Sequence, residues 1–299
     1  MSAISNFMQT IIDGINSVVG NYGWSIIIFT ILFRLILTPL DYKSKKSNRK
    51  MAKANVRLQD VQKKYADNKE ELNKRTMEIY KEEGVNPLGG CLPMLLSWPL
   101  MIALFAMLNS LASNQAMGMY EAMQSGSNNI IMEGWLWIKN VWQPDALNMP
   151  SLTTIPLLGG FFKGTVIPLA EQLTRHAALK PILDTYDVVM KPLIDQYAGM
   201  HNGFFVLPVI AAASSFFQTK IMNKMMGTST TEGPAASQTK MMMYFTPILS
   251  LWICSTYSAA ASLYWVTSNL CMIAQQVLLE KYMKYKEEKA AGLPEKASK

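Results

Sequence analysis

The sequence predicts an all-α membrane protein: five transmembrane helices in a bundle with a hydrophilic groove, a charged cytosolic helical hairpin, and amphipathic interfacial helices. Three observations predict it. The 299 residues are 50% hydrophobic and 16% charged, and the charge falls in a few blocks with long apolar runs between them. A bilayer span takes about 20 mainly apolar residues, and five runs read that way: 22–40, 88–112, 203–220, 241–256 and 259–279. Basic residues crowd some connecting segments and avoid others, as they do when a membrane sorts loops by side.

The first element, 1–21, carries no Lys or Arg. Within it Ile4, Phe7, Met8, Ile11, Ile12, Ile15, Val18 and Val19 recur at helical spacing. That pattern is an amphipathic helix lying on the outer membrane surface; the plainer alternative is an extension of the first span. A charged leader region and a small-residue cleavage site are not apparent, so the first span, 22–40, is expected to be retained.

Segment 41–87 holds 13 Lys and Arg against 8 Asp and Glu. Its helix-forming composition is interrupted at "YADNKEEL" by turn-forming residues, which predicts two antiparallel cytosolic helices over 43–83. Their basic face suits anionic lipid heads, ribosomal RNA or a client chain; a solvated face with no partner is the alternative. "EEGVNPLGGCLP" marks the boundary to the second span, with Gly84 placed to close a helix.

Segment 113–202 has 5 Lys and Arg against 7 Asp and Glu and belongs outside. Trp135, Trp137 and Trp142 are placed at the membrane interface. Residues 165–199 read as amphipathic helices broken at Pro181 and Pro192. A sixth span near 151–170 is rejected for its Gly, Pro and Lys163. After the third span comes a short cytosolic loop, 221–240. The fourth and fifth spans follow in a tight hairpin, then a basic tail, 280–299. The N-terminus is therefore outside and the C-terminus in the cytosol.

Arg34 stands inside the first span, where a charge costs roughly 2.5–3.5 kcal/mol on insertion scales. The five spans contain no Asp or Glu. Asp41 is about 10 Å away along the helix at 1.5 Å per residue. Either Arg34 snorkels to lipid phosphates, or it lines a wet cavity where a ligand brings the negative charge. Polar residues favour the cavity. Thr30, Arg34 and Thr38 share a helix face, as do Ser214 and Gln218. The fifth span adds Thr267, Ser268, Asn269, Gln275 and Gln276. Each could be an ordinary interhelical hydrogen bond; together they describe a hydrophilic groove open to the cytosol.

Met222, Met225 and Met226 leave the third span, and Met241, Met242 and Met243 enter the fourth. Flexible thioethers suit surfaces that accept many apolar partners, so this mouth is expected to contact clients; gap-filling inside the bundle is the alternative. Cys91, Cys254 and Cys271 form no disulfide or metal spacing, and neither His176 nor His201 is assigned a metal role. Phosphate-cradling glycines, metal-ligand clusters and activated nucleophiles are not apparent. The expectation is a protein that is not an enzyme, with no catalytic residue, metal, cofactor or DNA partner.

Four stretches in order, "TILFRLILTPL", "YKEEGVNPLGGCLP", "SFFQTKIM" and "LYWVTSNLCMIAQQ", resemble the YidC-type membrane protein insertases of the YidC/Oxa/Alb family. The resemblance departs at "TYSAAAS", where relatives commonly carry Pro-Ala-Gly, and in the length of the outer segment. It implies a bacterial cytoplasmic membrane protein with a five-span core and a groove facing cytosol and lipid. It implies nascent membrane proteins as clients, alone or beside the Sec translocon. Arg34 corresponds to the family's groove arginine, and Gln218 and Trp265 to its polar or aromatic groove positions. The competing reading is a small-anion transporter with Arg34 as its binding charge.

Overall fold

The structure, a computed structural model, describes residues 2–65, 67–84, 92–127, 132–147, 180–197, 200–225 and 234–290. Eight helices occur among these residues: α1 (Ser2–Val19), α2 (Tyr22–Lys64), α3 (Lys69–Glu82), α4 (Leu92–Gln124), α5 (Lys180–Tyr197), α6 (Val206–Met225), α7 (Pro234–Thr256) and α8 (Ala259–Ala290). There is no β-strand among the described residues, only an isolated bridge between Trp135 and Ile138. Wherever they are described, the five apolar runs fall in α2, α4, α6, α7 and α8, except that 203–205 precede α6. By length and composition one described helix, α2, is apolar enough to cross a membrane. Shorter apolar stretches run over Met101–Ala112 in α4 and Met241–Thr256 in α7.

The contacts divide the chain into two units, 1–30 with 98–212 and 248–267, and 31–97 with 213–247 and 268–299. In the first unit α1 splits its apolar arc. Met8 and Ile12 are buried, while Phe7, Ile11 and Val18 stay uncovered. Gly20, at φ +70°, ends α1 in the left-handed region that suits glycine, its N–H donating to the Asn16 carbonyl at 2.7 Å.

The loop 132–147 caps two helices of this unit. The carboxylate of Asp145 accepts from the N–H groups of Phe205 (2.9 Å) and Leu207 (2.7 Å) at the start of α6. The carbonyls of Val141 and Gln143 accept from Ala260 and Ala259 at the start of α8, each at 2.8 Å. First-turn N–H groups have no partner within their own helix, so the loop supplies what both helices lack. It also holds the three tryptophans, with Trp137 half-buried. Trp135 and Trp142 are buried at 8% and 3% exposure. Trp142 packs edge-on against Tyr22, and Trp135 against Trp24. Pro192 does not break α5, which continues to Tyr197 with Met190 and Leu193 buried on either side. Pro181 sits in the first turn, where a missing N–H costs nothing.

In the second unit α2 is one unbroken helix through to Lys64. The hairpin's first arm is thus the continuation of α2, and α3 is the second arm. Ala54, Leu58 and Ile79 form their core, with Met51, Val61 and Tyr80 against it. The Asn68 side chain caps α3 by accepting from the Glu71 N–H at 3.1 Å. Gly84, at φ +59°, follows its last turn. Arg57 ties the arms together through Glu82 (2.6 Å) and Glu83 (2.8 Å).

Candidate functional site: a polar seam between α2 and α8

Within the second unit one polar face of α2 meets one polar face of α8. Arg34 Nε donates to Ser268 Oγ at 3.0 Å, and Nη2 of the same guanidinium also donates to that hydroxyl. One turn on, the Gln275 amide donates to the Arg34 carbonyl and to Thr38 Oγ1, both at 2.8 Å. Thr38 Oγ1 in turn donates to the Arg34 carbonyl at 3.2 Å. Lys45 then donates to the Gln276 carbonyl and pairs with Glu280 at 3.4 Å. Arg49 closes the series on Glu280 (2.8 Å) and Glu287 (2.6 Å). Residue numbers rise together along both helices, so α2 and α8 run parallel here. Side chains three, four and seven apart share a helix face, and that is why these residues line up.

The seam changes character along its length. At its upper end the Arg34 guanidinium meets a neutral hydroxyl, and Arg34 forms no ion pair among the described residues. At its lower end cations and carboxylates are matched. Four buried acceptors, Asp41 Oδ2, Asn48 Oδ1, Gln275 Oε1 and Gln276 Oε1, have no donor. A face with more acceptors than donors suits water or a donor-bearing group.

Electrostatics follow from burial. Burial pushes the Asp41 carboxyl above its ordinary value, and Arg34 pulls against it. Burial lowers the Lys45 ammonium, against the pull of Glu280. Glu280 is moved up by burial, but the hydrogen bond and charge of Arg49, with Lys45, carry it below its ordinary range. Both groups shift down, which favours the charged carboxylate and disfavours the charged ammonium. Lys45 is 8% exposed and has one carboxylate, whereas Glu280 is 26% exposed and serves three cations, Lys45, Arg49 and Lys284. The pair favours the acid more than the base.

The other expected positions separate into groups. Ser214 of α6 meets Asn269 of α8, whose amide donates to Ser214 Oγ (3.1 Å) and Ser215 Oγ (2.8 Å). The Gln218 amide donates to the Met272 sulfur at 3.3 Å. Thr30 and Trp265 belong to the first unit. Thr30 is fully buried, its hydroxyl donating to the Ile26 carbonyl. Trp265 Nε1 donates to Ser250 Oγ at 3.2 Å. Of the methionines, Met241 and Met242 are exposed at 65% and 44%. Met222, Met225 and Met243 are half-buried, and Lys45 Nζ reaches the Met225 sulfur at 3.5 Å. Met226 lies outside the described residues, as do Cys91 and His176.

Ser268 was one of the polar residues expected to line the groove, whereas Ser215, Lys45 and Glu280 were not among the positions expected at the site. Their signal was present: Lys45 and Arg49 stand four apart, Glu280 and Glu287 seven apart. It needed the pairing of α2 with α8 to be read. No group of three or more His, Cys, Asp or Glu is placed to hold a metal ion among the described residues.

The sequence matches the profile of the 60Kd inner membrane protein family over residues 14–288. The chain belongs to this family. Among curated members, it is 31% identical over 278 residues to a membrane protein insertase YidC of Fusobacterium nucleatum, covering 93% of this chain and 95% of that protein. It is 29% identical to the YidC insertase of Chlorobaculum tepidum, over 95% of this chain and 37% of that one. The corresponding figures for the YidC insertase of Leptospira interrogans are 27%, 91% and 33%. The chain therefore spans nearly the whole of one family member and about a third of the other two. The matched region contains every residue of the seam.

Proposed function

We propose that the protein is a membrane protein insertase of a bacterial cytoplasmic membrane, spanning it five times with the N-terminus outside and the C-terminus in the cytosol. Its clients are nascent membrane proteins, received alone or beside the Sec translocon. Two things support this reading: the names of its relatives and the state of Arg34. The observation that carries it is the second. A guanidinium in an apolar helix is matched to a single serine hydroxyl, with no ion pair among the described residues.

In this reading Arg34 captures an acidic client segment. A carboxylate offers the guanidinium two charged acceptors in place of one neutral hydroxyl, and charge-assisted hydrogen bonds are roughly twice as strong as neutral ones. The polar residues around Arg34, with Ser214, Gln218 and Asn269, shorten the dry distance the polar segment must cross. The client's apolar helix then leaves into lipid, driven by hydrophobic transfer. The capture is transient because Ser268 offers Arg34 an alternative partner. The exposed Met241 and Met242 receive apolar client segments at the cytosolic mouth.

A photocrosslinker at Thr38, beside Arg34 on the same helix face, tests the proposal with a stalled nascent client bearing an acidic N-terminal segment. The expected adduct joins position 38 to that acidic segment. A chain that forms no such adduct but moves a small anion across vesicles would be a transporter.

A further inference from the structure

The seam has a consequence for the surface beside it, at the cytosolic end of the two helices. Glu280 and Glu287 are turned toward Lys45 and Arg49, so two of the acids at the end of α8 are occupied on the inner side. Met283, on the same side, is buried at 7%. At the edge of this contact Tyr282 and Tyr285 are exposed at 53% and 48%. The Tyr282 ring meets Tyr42 of α2 edge-on, their centroids 6.1 Å apart. Lys43 and Lys46 of α2 and Lys281 of α8 are exposed around this pair and form no ion pair among the described residues. Lys286 and Lys289 continue the basic character, and Glu288 is the one further exposed acid among the described residues of the tail.

The level of these residues identifies what they meet. Tyr42 and Tyr282 lie two and three residues beyond the ends of the apolar runs, at 40 and 279. At 1.5 Å per residue that is about 3–5 Å, and Tyr285 is about 9 Å out. The headgroup layer on each side of a bilayer is about 5–8 Å thick. Tyrosines gather at this level because the ring is apolar and the hydroxyl wet. Lysines there attract anionic headgroups at about 1 kcal/mol each, roughly fivefold in occupancy per residue.

We propose that Tyr42, Tyr282 and Tyr285, flanked by Lys43, Lys46 and Lys281, form a docking surface for anionic phospholipid headgroups, fixing the depth of the paired helices. The inference rests on α2 and α8 being membrane spans. Charge sorting makes it specific: the inner side of the pair neutralises the acids and leaves the lysines outward.

The test uses the full chain with Ala290→Cys as a spin-label site and Cys91, Cys254 and Cys271 replaced by alanine. It is reconstituted in phosphatidylcholine, or in equal parts phosphatidylcholine and phosphatidylglycerol. The label is expected to be more immobile in the anionic vesicles. The difference should vanish at about 1 M salt, where the Debye length is about 3 Å, and in Lys43→Gln/Lys46→Gln/Lys281→Gln. Equal mobility in both vesicles would overturn the docking surface. So would immobilisation by added RNA in phosphatidylcholine with none by phosphatidylglycerol, which would make the basic face a nucleic-acid surface. Release of the chain by an alkaline wash would overturn the span reading and this inference together. Retention with equal mobility overturns this inference alone.

Discussion

Arg34 and Ser268 are joined by a charged donor and a neutral acceptor, with Nε and Oγ 3.0 Å apart. The pairing satisfies the geometry of the guanidinium without neutralising its charge. Ser268→Ala should therefore cost no more than about 1.5–3 kcal/mol, the value of a hydrogen bond to a charged group, and leave insertion of acidic clients intact. Ser268→Asp should supply a permanent counter-charge. Its stability in thermal unfolding should match or exceed the parent, while insertion of acidic clients is lost.

Lys45 and Glu280 should respond unequally to substitution. Lys45→Met removes a cation whose charged form burial disfavours, beside Met225, and leaves Glu280 paired with Arg49 at 2.8 Å, so no buried carboxylate is stranded. Its stability should lie within about 1 kcal/mol of the parent. Glu280→Gln strands Lys45, while Arg49 keeps Glu287, and should cost about 1–3 kcal/mol, less than a fully buried pair because Glu280 keeps some solvent. Unfolding of both variants in detergent at neutral pH gives the comparison.

The pH dependence of that loss has a fixed sign. The Glu280 carboxyl is held below its ordinary value of 4.5 in the fold. Its stabilising contribution is complete above that ordinary value and is lost as pH falls through the lower folded one. The gap in melting temperature between the parent and Glu280→Gln should thus be constant from neutral pH down to about the ordinary value and then narrow. A gap that narrows toward alkaline pH instead would place the effect elsewhere.

Asp41 behaves in the opposite way. Burial raises its carboxyl above the ordinary 3.8, and Oδ2 has no donor. The charged form is disfavoured by the fold, so Asp41→Asn should hold or raise the melting temperature at neutral pH. The gain should disappear below the ordinary carboxylate value, where Asp41 is protonated in both states. The same change removes a negative charge near Arg34 and should strengthen capture of acidic clients.

Photocrosslinkers at the methionines should divide by exposure. Positions 241 and 242, open to the surroundings, should capture a stalled apolar client. Position 225, half-buried beside Lys45, should give crosslinks within the chain. Client adducts from 225 with none from 241 and 242 would reverse the assignment of the client-facing side.

The helical architecture was legible because long apolar runs, glycines and turn residues act locally. Gly20 and Gly84 take the left-handed conformations that end α1 and α3, and Asn68 caps α3 as its chemistry favours. The fourfold spacing of Thr30, Arg34 and Thr38 was also legible, but not what each would touch. Thr30 spends its hydroxyl within its own helix, whereas Thr38 joins Gln275. The burial of Trp135 and Trp142 was not legible, because composition alone does not separate an exposed interfacial aromatic from one buried beneath a capping loop. The lower seam escaped because Lys45 and Glu280 are far apart in sequence and each resembles a solvated helix charge. Only the parallel packing of α2 on α8 removes them from water.

The central claim is that the uncompensated charge of Arg34 captures acidic clients, and a matched client pair tests it most directly. The two clients share one apolar helix and differ only in whether the translocated segment carries Asp and Glu or Asn and Gln. Insertion into vesicles is measured with the parent chain, Arg34→Lys, Arg34→Ala and Ser268→Asp. The account predicts that the acidic client inserts with the parent, partially with Arg34→Lys, which keeps the charge without the bidentate geometry, and poorly with the other two. The neutral client should insert with all four. Equal insertion of the acidic client by the parent, Arg34→Ala and Ser268→Asp would contradict it.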